Sequence, residues 1–331
     1  MDQERLKKDL LALKSVKPIL INLALDLLEE KKVLDLLKTP KGLNEICEEA
    51  QIKHEKMLEN MLDLLTGENF LEYSSGKYKL LKKDKLPQLE EEQYLKENYS
   101  ESLEWVYFVN NYSSQTLSTG VPSKLTGFEE EKAIYYWNKI MEQSPYSLRE
   151  IAIESLLENL DENSLILDYG CGGGVSLQQL IDKTTKRLYF YATDPSTKYF
   201  SSARERLKNS ESKTKTIEEN KNLTQFIDFN EIKSYLGKFD RIFASMVFNH
   251  VEEKDYKQVF TTLNELLKKG GKFGMIQFFD FSKFDRNPIW IMHNIPTHKG
   301  YPMKEKFISD LKSVFPTVNE QLNGIITIST K

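Results

Sequence analysis

The residues best suited to chemistry in this chain are one acid and three glycines that follow a short apolar run. Asp168 is followed by Gly170, Gly172 and Gly174 at every second position. Glycine lets the backbone approach a ligand closely and tolerates positive φ values. Because apolar residues at helical spacing come next, the pattern predicts a strand, a tight binding loop and a helix.

The glycine spacing argues against a dinucleotide-binding loop. That fingerprint places its third glycine three residues after the second, and Val175 occupies this position. The acid also comes before the glycines. A ligand other than a dinucleotide is therefore indicated for this loop.

Four further landmarks follow in order. Tyr189–Thr193 reads as a buried strand that ends at Asp194, about 20 residues beyond the first strand, where such folds place a carboxylate on ribose hydroxyls. A third strand runs into Asp228 and Phe229, and a fourth, Phe239–Phe248, contains Ser245. A fifth strand follows a glycine pair and ends at Gln277.

Together these landmarks resemble the motifs of class I S-adenosylmethionine-dependent methyltransferases. The resemblance implies an α/β fold with a Rossmann-like seven-stranded sheet, and S-adenosyl-L-methionine as the cofactor. It places the cofactor-binding residues at Asp168, Gly170, Gly172, Gly174, Asp194, Asp228, Phe229 and Ser245. No metal is expected.

The first part of the chain reads as helices followed by a hairpin. An apolar helix is predicted from Pro18 to Leu37, with proline in its first turn. Two shorter helices, Leu43–Ala50 and Lys53–Leu65, precede strands at Phe70–Tyr73 and Lys77–Leu81. Three helices and a hairpin form a winged helix.

A winged helix can bind DNA, but its groove-entering helix lacks the necessary charge. Glu55, Glu59 and Asp63 roughly cancel the basic residues of this helix, whereas phosphate contacts require a surplus of lysine and arginine. No nucleic-acid partner is expected. The order of a winged helix, a helical linker and a catalytic domain resembles small-molecule O-methyltransferases, which implies a homodimer formed by this amino-terminal domain.

The apolar positions between Ile19 and Leu28 support that implication. They cover more than one stripe of the helix and have too little partner surface in a lone winged helix. The predicted domains are a dimerisation domain (1–86), a helical linker contributing to the acceptor pocket (87–150) and the cofactor-binding domain (151–331). By resemblance, the acceptor pocket includes Trp137, Met141, Trp290 and His293.

The catalytic candidates lie just beyond the fourth strand. His250 has a side chain whose ordinary pKa suits proton transfer near neutral pH. In the O-methyltransferases a histidine occupies this point of the chain, and the gapless match places Asn249 there instead. Gln277 likewise stands where many family members carry glutamate.

Three functions remain open from the sequence. The preferred one is methyl transfer to a small aromatic or polyketide-like acceptor, most readily at oxygen. The alternatives are the same fold using S-adenosylmethionine for another reaction or structurally, and a winged-helix DNA-binding regulator. The altered catalytic positions favour the first alternative, and the charge of the recognition helix disfavours the second.

Composition excludes several other classes. The 46 basic and 50 acidic residues leave a net charge of −4, which gives no general attraction to nucleic acid or anionic membranes. The two cysteines lack the spacing of a zinc site or a disulfide framework. No signal peptide or membrane span is recognised, so a cytoplasmic protein is expected. The polar stretch Ser210–Lys221 predicts a mobile loop.

Overall fold

A computed structural model gives the fold. It describes residues 3–127, 130–143, 146–211, 223–288 and 290–331. The chain forms two compact units: an amino-terminal unit of residues 7–144 and 279–301, and a sheet unit of residues 1–6, 145–278 and 302–331. Most of the predicted loop Ser210–Lys221 lies outside the described residues.

Helices dominate the first part of the chain. The helices are α1 (Gln3–Glu30), α2 (Val33–Leu36), α3 (Leu43–Glu49), α4 (Glu55–Gly67), α5 (Leu89–Asn98), α6 (Ser100–Asn110), α7 (Ser113–Thr119) and α8 (Glu131–Gln143). Three short strands, β1 (Lys41–Gly42), β2 (Leu71–Ser74) and β3 (Lys77–Leu80), pair antiparallel in the order β1-β3-β2. The predicted hairpin is present, and β1 adds a third strand to it.

Helix α1 differs from its prediction at both ends. It begins at Gln3, so Pro18 lies inside the helix and not in its first turn. The predicted start was wrong because an interior proline removes only one backbone hydrogen bond, and the packing of a long apolar face can offset that loss. The helix ends before Lys32, whose left-handed φ of 59° separates α1 from α2.

The apolar positions of α1 are already covered within the amino-terminal unit. Ile19, Leu20 and Leu28 are 0% exposed and belong to the core of this unit. The indole N–H of Trp290 also donates to the backbone oxygen of Leu20 at 3.0 Å. The apolar positions between Ile19 and Leu28 therefore do not form the expected unpartnered surface, and the homodimer prediction rests on the resemblance alone.

Residues 279–301 pack on α4, the helix that would read DNA in a winged helix. Arg286 Nε donates to Asp63 Oδ2 at 2.9 Å, and His293 Nε2 lies 2.6 Å from Asn60 Nδ2. The fit is close, because a Cβ on Gly67 would lie 2.2 Å from a backbone oxygen of this segment. One face of α4 is thus covered by the chain itself.

The sheet unit contains one mostly parallel sheet. Its strands are β4 (Leu165–Tyr169), β5 (Tyr189–Thr193), β6 (Leu223–Phe226), β7 (Phe239–Ser245), β8 (Leu267–Ile276), β9 (Thr317–Gln321) and β10 (Ile326–Thr330). Its helices are α9 (Tyr146–Leu157), α10 (Val175–Asp182), α11 (Lys198–Glu211), α12 (Tyr256–Leu266) and α13 (Lys304–Val314). The strand order is β6-β5-β4-β7-β8-β10-β9, with β10 antiparallel to both of its neighbours. The predicted seven-stranded Rossmann-like sheet is confirmed.

The two units differ from the three predicted domain ranges. Most of the predicted linker 87–150 groups with the amino-terminal unit. Residues 279–301, predicted within the cofactor-binding domain, also group there, because Trp290, Ile291, Met292 and Ile295 complete its core. Within the described ranges, no helix has both the length and the apolar character needed to cross a membrane.

Candidate active site

The loop after β4 and the loop after β7 meet at the carboxyl edge of the sheet. A Cβ on Gly170 would lie 2.6 Å from Val247 Cγ2, so only glycine permits this approach. The strand order reverses between β4 and β7, because β5 and β6 lie on one side of β4 and β7 lies on the other. Open α/β sheets bind ligands at this kind of switch point.

The glycine loop is tied to the acid at the end of β5. The Gly172 N–H donates to Asp194 Oδ2 at 2.9 Å, and the Ser196 N–H donates to Asp194 Oδ1 at the same distance. Gly172 has a φ of +49°, and a Cβ there would meet nothing within 4 Å. The loop therefore leaves open space beside a carboxylate that keeps lone pairs for further donors.

Asp168 is a buried carboxylate at the centre of this edge. It is 1% exposed, and neither of its oxygens makes a hydrogen bond of normal geometry with the described residues. Burial raises its pKa to about 7, although the Arg149 guanidinium lowers the value and Asp194 raises it again. The carboxyl end of β4 thus carries an acid whose oxygens can accept hydrogen bonds from a ligand.

Arg149 on α9 is a polar residue that the sequence analysis did not identify. Its side chain is 0% exposed, with Nη1 donating to Gln179 Oε1 at 3.0 Å and Nε to Ser245 Oγ at 3.2 Å. A signal was available in the helical spacing. Arg149 precedes the buried Ala152 and Ile153 by three and four residues, so an arginine occupies a position on the apolar stripe of α9.

The turn after β7 carries both catalytic candidates. Asn249 is 0% exposed and His250 is half-buried, and Asn249 Nδ2 lies 3.0 Å from His250 Nε2. Asn249 Oδ1 is buried and has no hydrogen-bond partner in the described part of the chain. Met246, at the start of this turn, has a φ of 58°, a conformation that is strained for a side chain of its size.

Gln277 fixes this turn from the end of β8. It is 0% exposed; its Oε1 accepts the Phe248 N–H at 3.1 Å and its Nε2 donates to the Phe278 carbonyl at 2.9 Å. A glutamate here would lose the donor to Phe278. The amide is therefore the side chain that satisfies both backbone groups.

Asp228 and Phe229 also lie in the sheet unit. Asp228 is exposed and its Oδ1 accepts the Asn230 N–H at 2.8 Å, which caps the 3-10 turn that begins at Phe229. The Phe229 ring lies 5.6 Å from the Tyr169 ring at the end of β4. The structure thus places all the predicted cofactor residues in one unit.

The four predicted acceptor-pocket residues belong to the amino-terminal unit. Trp137 and Met141 are half-buried on α8. Trp290 and His293 are 1% and 3% exposed, and burial lowers the His293 pKa to about 3, so this ring is neutral. Their role in an acceptor pocket stays a prediction.

The residues of the sheet unit fit S-adenosylmethionine. The cofactor carries a positively charged sulfonium and an amino-acid end, and Asp168 offers a buried carboxylate whose oxygens make no hydrogen bond of normal geometry with the described residues. Asp194 offers acceptors for ribose hydroxyls beside the open backbone at Gly172. When bound, the cofactor supplies a methyl group that its sulfonium has already activated.

Comparisons with known proteins agree with this fit. Residues 166–271 match the family model described as a methyltransferase domain. No curated protein sequence matches the chain. Among solved structures, the DszA carbon methyltransferase matches with a TM-score of 0.72 at 12% identity, covering 100% of this chain and 94% of that one.

Two further solved structures are similar over nearly the whole chain. The CurJ carbon methyltransferase has a TM-score of 0.70 at 14% identity, covering 96% of this chain and 92% of that one. An O-methyltransferase family 2 protein from Planctomyces limnophilus, in complex with apigenin, has a TM-score of 0.59 at 11% identity, covering 98% and 95%. Residues 166–271 thus form a methyltransferase domain, and its site residues fit S-adenosyl-L-methionine as the cofactor.

Proposed function

We propose that the protein transfers the methyl group of S-adenosylmethionine to a hydroxyl of a small aromatic or polyketide-like acceptor. The observation that carries the proposal is the contact between Gly170 and Val247, which sets the donor loop against the turn bearing Asn249 and His250. Methyl transfer needs a lone pair held in line with the carbon–sulfur bond, with water excluded. Buried polar side chains in that turn provide groups for holding a hydroxyl.

Methylation of a hydroxyl requires the turn after β7 to hold the acceptor oxygen and to allow its proton to leave. The acceptor oxygen forms a bond to the methyl carbon while the carbon–sulfur bond breaks, and the hydroxyl loses its proton. His250 is the predicted general base for that proton, and Asn249 is the predicted orienting residue. Asn249 and His250 follow Ser245, the last residue of β7, by four and five residues.

Carbon is the second candidate for the methylated atom. The two carbon methyltransferases have TM-scores of 0.72 and 0.70, whereas the O-methyltransferase with apigenin has 0.59. At these identities the likeness concerns the fold, so it supports carbon only as an alternative. A carbon acceptor would also require proton removal, beside an electron-withdrawing carbonyl.

A DNA-binding role has no support from α4. Its Asn60 and Asp63 side chains contact His293 and Arg286 of the same unit and are not available to bases. Base reading requires side chains that reach the edges of bases in a groove. We therefore do not propose α4 as a helix that reads DNA bases.

The test uses the purified full chain with a ¹³C-labelled methyl donor. Candidate acceptors are phenols, hydroxylated polyketide-like compounds and β-keto thioesters, and carbon NMR of the products separates methoxy from C-methyl groups. We expect a methoxy product that is lost in Asp194→Ala and retained in Asp84→Asn, an exposed acid in the amino-terminal unit.

The other outcomes separate the alternatives. A C-methyl product would replace oxygen with carbon as the acceptor atom. Donor binding by calorimetry without transfer to any acceptor would favour the reading in which S-adenosylmethionine serves another reaction or structure. Absence of donor binding would refute the proposal.

A further inference from the structure

The short contact between Asn249 and His250 constrains what His250 can do. The Asn249 Nδ2 amide group can only donate, so at 3.0 Å the His250 Nε2 atom must accept. A neutral imidazole has one accepting and one donating nitrogen. With Nε2 accepting, the proton of neutral His250 is on Nδ1, and the ring's one lone pair is engaged by the amide.

This arrangement opposes a general-base role for His250. Taking a proton on Nε2 would set two N–H donors against each other at the same contact. The amide would have to turn over before His250 could hold a second proton. A base that must first break its own hydrogen bond is a poor partner for a reacting hydroxyl.

The same arrangement leaves the other amide atom without a partner. Asn249 is 0% exposed, and its Oδ1 makes no hydrogen bond with the residues that the structure describes. A buried acceptor without a donor destabilises the protein. A bound molecule with a hydroxyl group would supply the missing donor.

The backbone around the amide is held firmly. Gln277 binds the turn at Phe248, one residue before Asn249, and the Met246 N–H donates to the Ile276 carbonyl at 2.9 Å. Met246 keeps its left-handed φ only because the surrounding contacts enforce it. Because the turn is held in place, the hydrogen bond to His250 fixes the orientation of the Asn249 side-chain amide.

Resting on the proposed function, we infer that His250 is a positioning residue that orients the Asn249 amide. Asn249 Oδ1 then accepts the hydrogen bond of the acceptor's hydroxyl group and aims its oxygen at the methyl carbon. Asn249 is the residue that touches the acceptor. The oxygen–carbon bond forms as the carbon–sulfur bond breaks, S-adenosylhomocysteine is the leaving group, and the hydroxyl proton is released to bulk solvent with the product. His250 keeps its proton on Nδ1 throughout.

The first test reads the His250 tautomer by ¹⁵N imidazole NMR without any acceptor. The chain has only four histidines, so the spectrum is simple, and His250→Gln identifies the signal. We expect the Nδ1–H tautomer for His250. His54 provides the opposite reference, because its Nδ1 accepts the Met57 N–H at 3.2 Å and its proton must be on Nε2.

This measurement does not depend on enzymatic activity. An Nε2–H tautomer at His250 would overturn the inference, because the amide would then face the ring with its oxygen. Asn249→Asp sharpens the result. A carboxylate accepts from Nε2–H, so this variant should switch His250 to the opposite tautomer.

The second test compares variants in the methyl-transfer assay. The amide oxygen of His250→Gln can accept the Asn249 N–H but cannot take a full proton, so we expect turnover within about tenfold of wild type. A general base would instead cost about a hundredfold to ten-thousandfold. A loss of that size in His250→Gln, with normal donor affinity, would overturn the inference.

The acceptor side is tested with Asn249→Ala. We expect kcat/KM for the acceptor to fall by about tenfold to a hundredfold through a higher acceptor KM, with donor affinity unchanged. Glu253→Gln, an exposed neighbour, is the matched control. An unchanged acceptor KM in Asn249→Ala would refute the contact. If wild type transfers no methyl group at all, the proposed function fails, while the tautomer result still judges the geometry.

Discussion

Asp168 should lower the stability of the protein above pH 7, where its carboxylate is ionised and can attract the positively charged donor. Its pKa is raised from 3.8 to about 7, mainly by burial. An acid with a raised pKa adds stability below its unfolded value and loses it as the pH rises through the folded value. The rise in pKa lowers the free energy of unfolding by about 4 kcal/mol at pH 8, relative to a carboxyl that stays protonated. At pH 5 the loss is less than half of that.

Asp168→Asn removes the charge and should therefore stabilise the protein without the donor. We expect its free energy of unfolding at pH 8 to rise by up to about 4 kcal/mol, with a smaller gain at pH 5, because the ionised carboxylate is the form that burial penalises. Urea denaturation at the two pH values measures this. Donor binding should weaken at the same time, since the amide cannot offer a negative charge to a cation.

Asp84→Asn is the control for Asp168→Asn, and two results would contradict the prediction. Asp84→Asn replaces an exposed acid and should change stability by no more than about 0.5 kcal/mol at either pH. If Asp168→Asn were no more stable than wild type at pH 8, burial would not dominate this site. If it bound the donor as tightly as wild type, Asp168 would not face the ligand.

Three further predictions concern other parts of the molecule. Asp194→Ala should weaken donor binding by about tenfold to a hundredfold in calorimetry, because hydrogen bonds to a charged group are lost; unchanged binding would remove Asp194 from the site. Arg286→Met should destabilise the protein by up to about 3–5 kcal/mol in urea denaturation, since the 0% exposed Asp63 loses its nearest cation and keeps only Lys283 at 3.9 Å, and adding Asp63→Asn should recover part of the loss. Light scattering at micromolar concentration should show the homodimer implied by the resemblance, and a monomer would contradict it.

Local spacing predicted much of the sheet unit. Asp168, the glycines and Asp194 lie in strand-end patterns only a few residues long, and the structure forms strands at those places. Spacing could not predict that Arg149 meets Gln179 and Ser245, because those contacts join positions 30 and 96 residues apart. A helical stripe shows which face is buried, but it does not show what that face meets.

Long-range packing also explains the differences in the amino-terminal unit. The indole N–H of Trp290 donates to the backbone oxygen of Leu20, 270 positions earlier in the chain, and no local spacing predicted this contact. The same packing covers the apolar positions Ile19–Leu28 of α1, which were expected to form a dimer surface. No local pattern records a contact of that separation.

The position of residues 279–301 in the chain has a consequence for biosynthesis. Most of the amino-terminal unit is synthesised before the sheet unit. Four residues of its core are made only after β8: Trp290, Ile291, Met292 and Ile295. The first 144 residues therefore leave the ribosome with an incomplete core and must wait while the sheet unit is made. Folding of the two units is thus interleaved during translation, and nascent chains halted before residue 279 should remain open to proteases and chaperones over their amino-terminal helices.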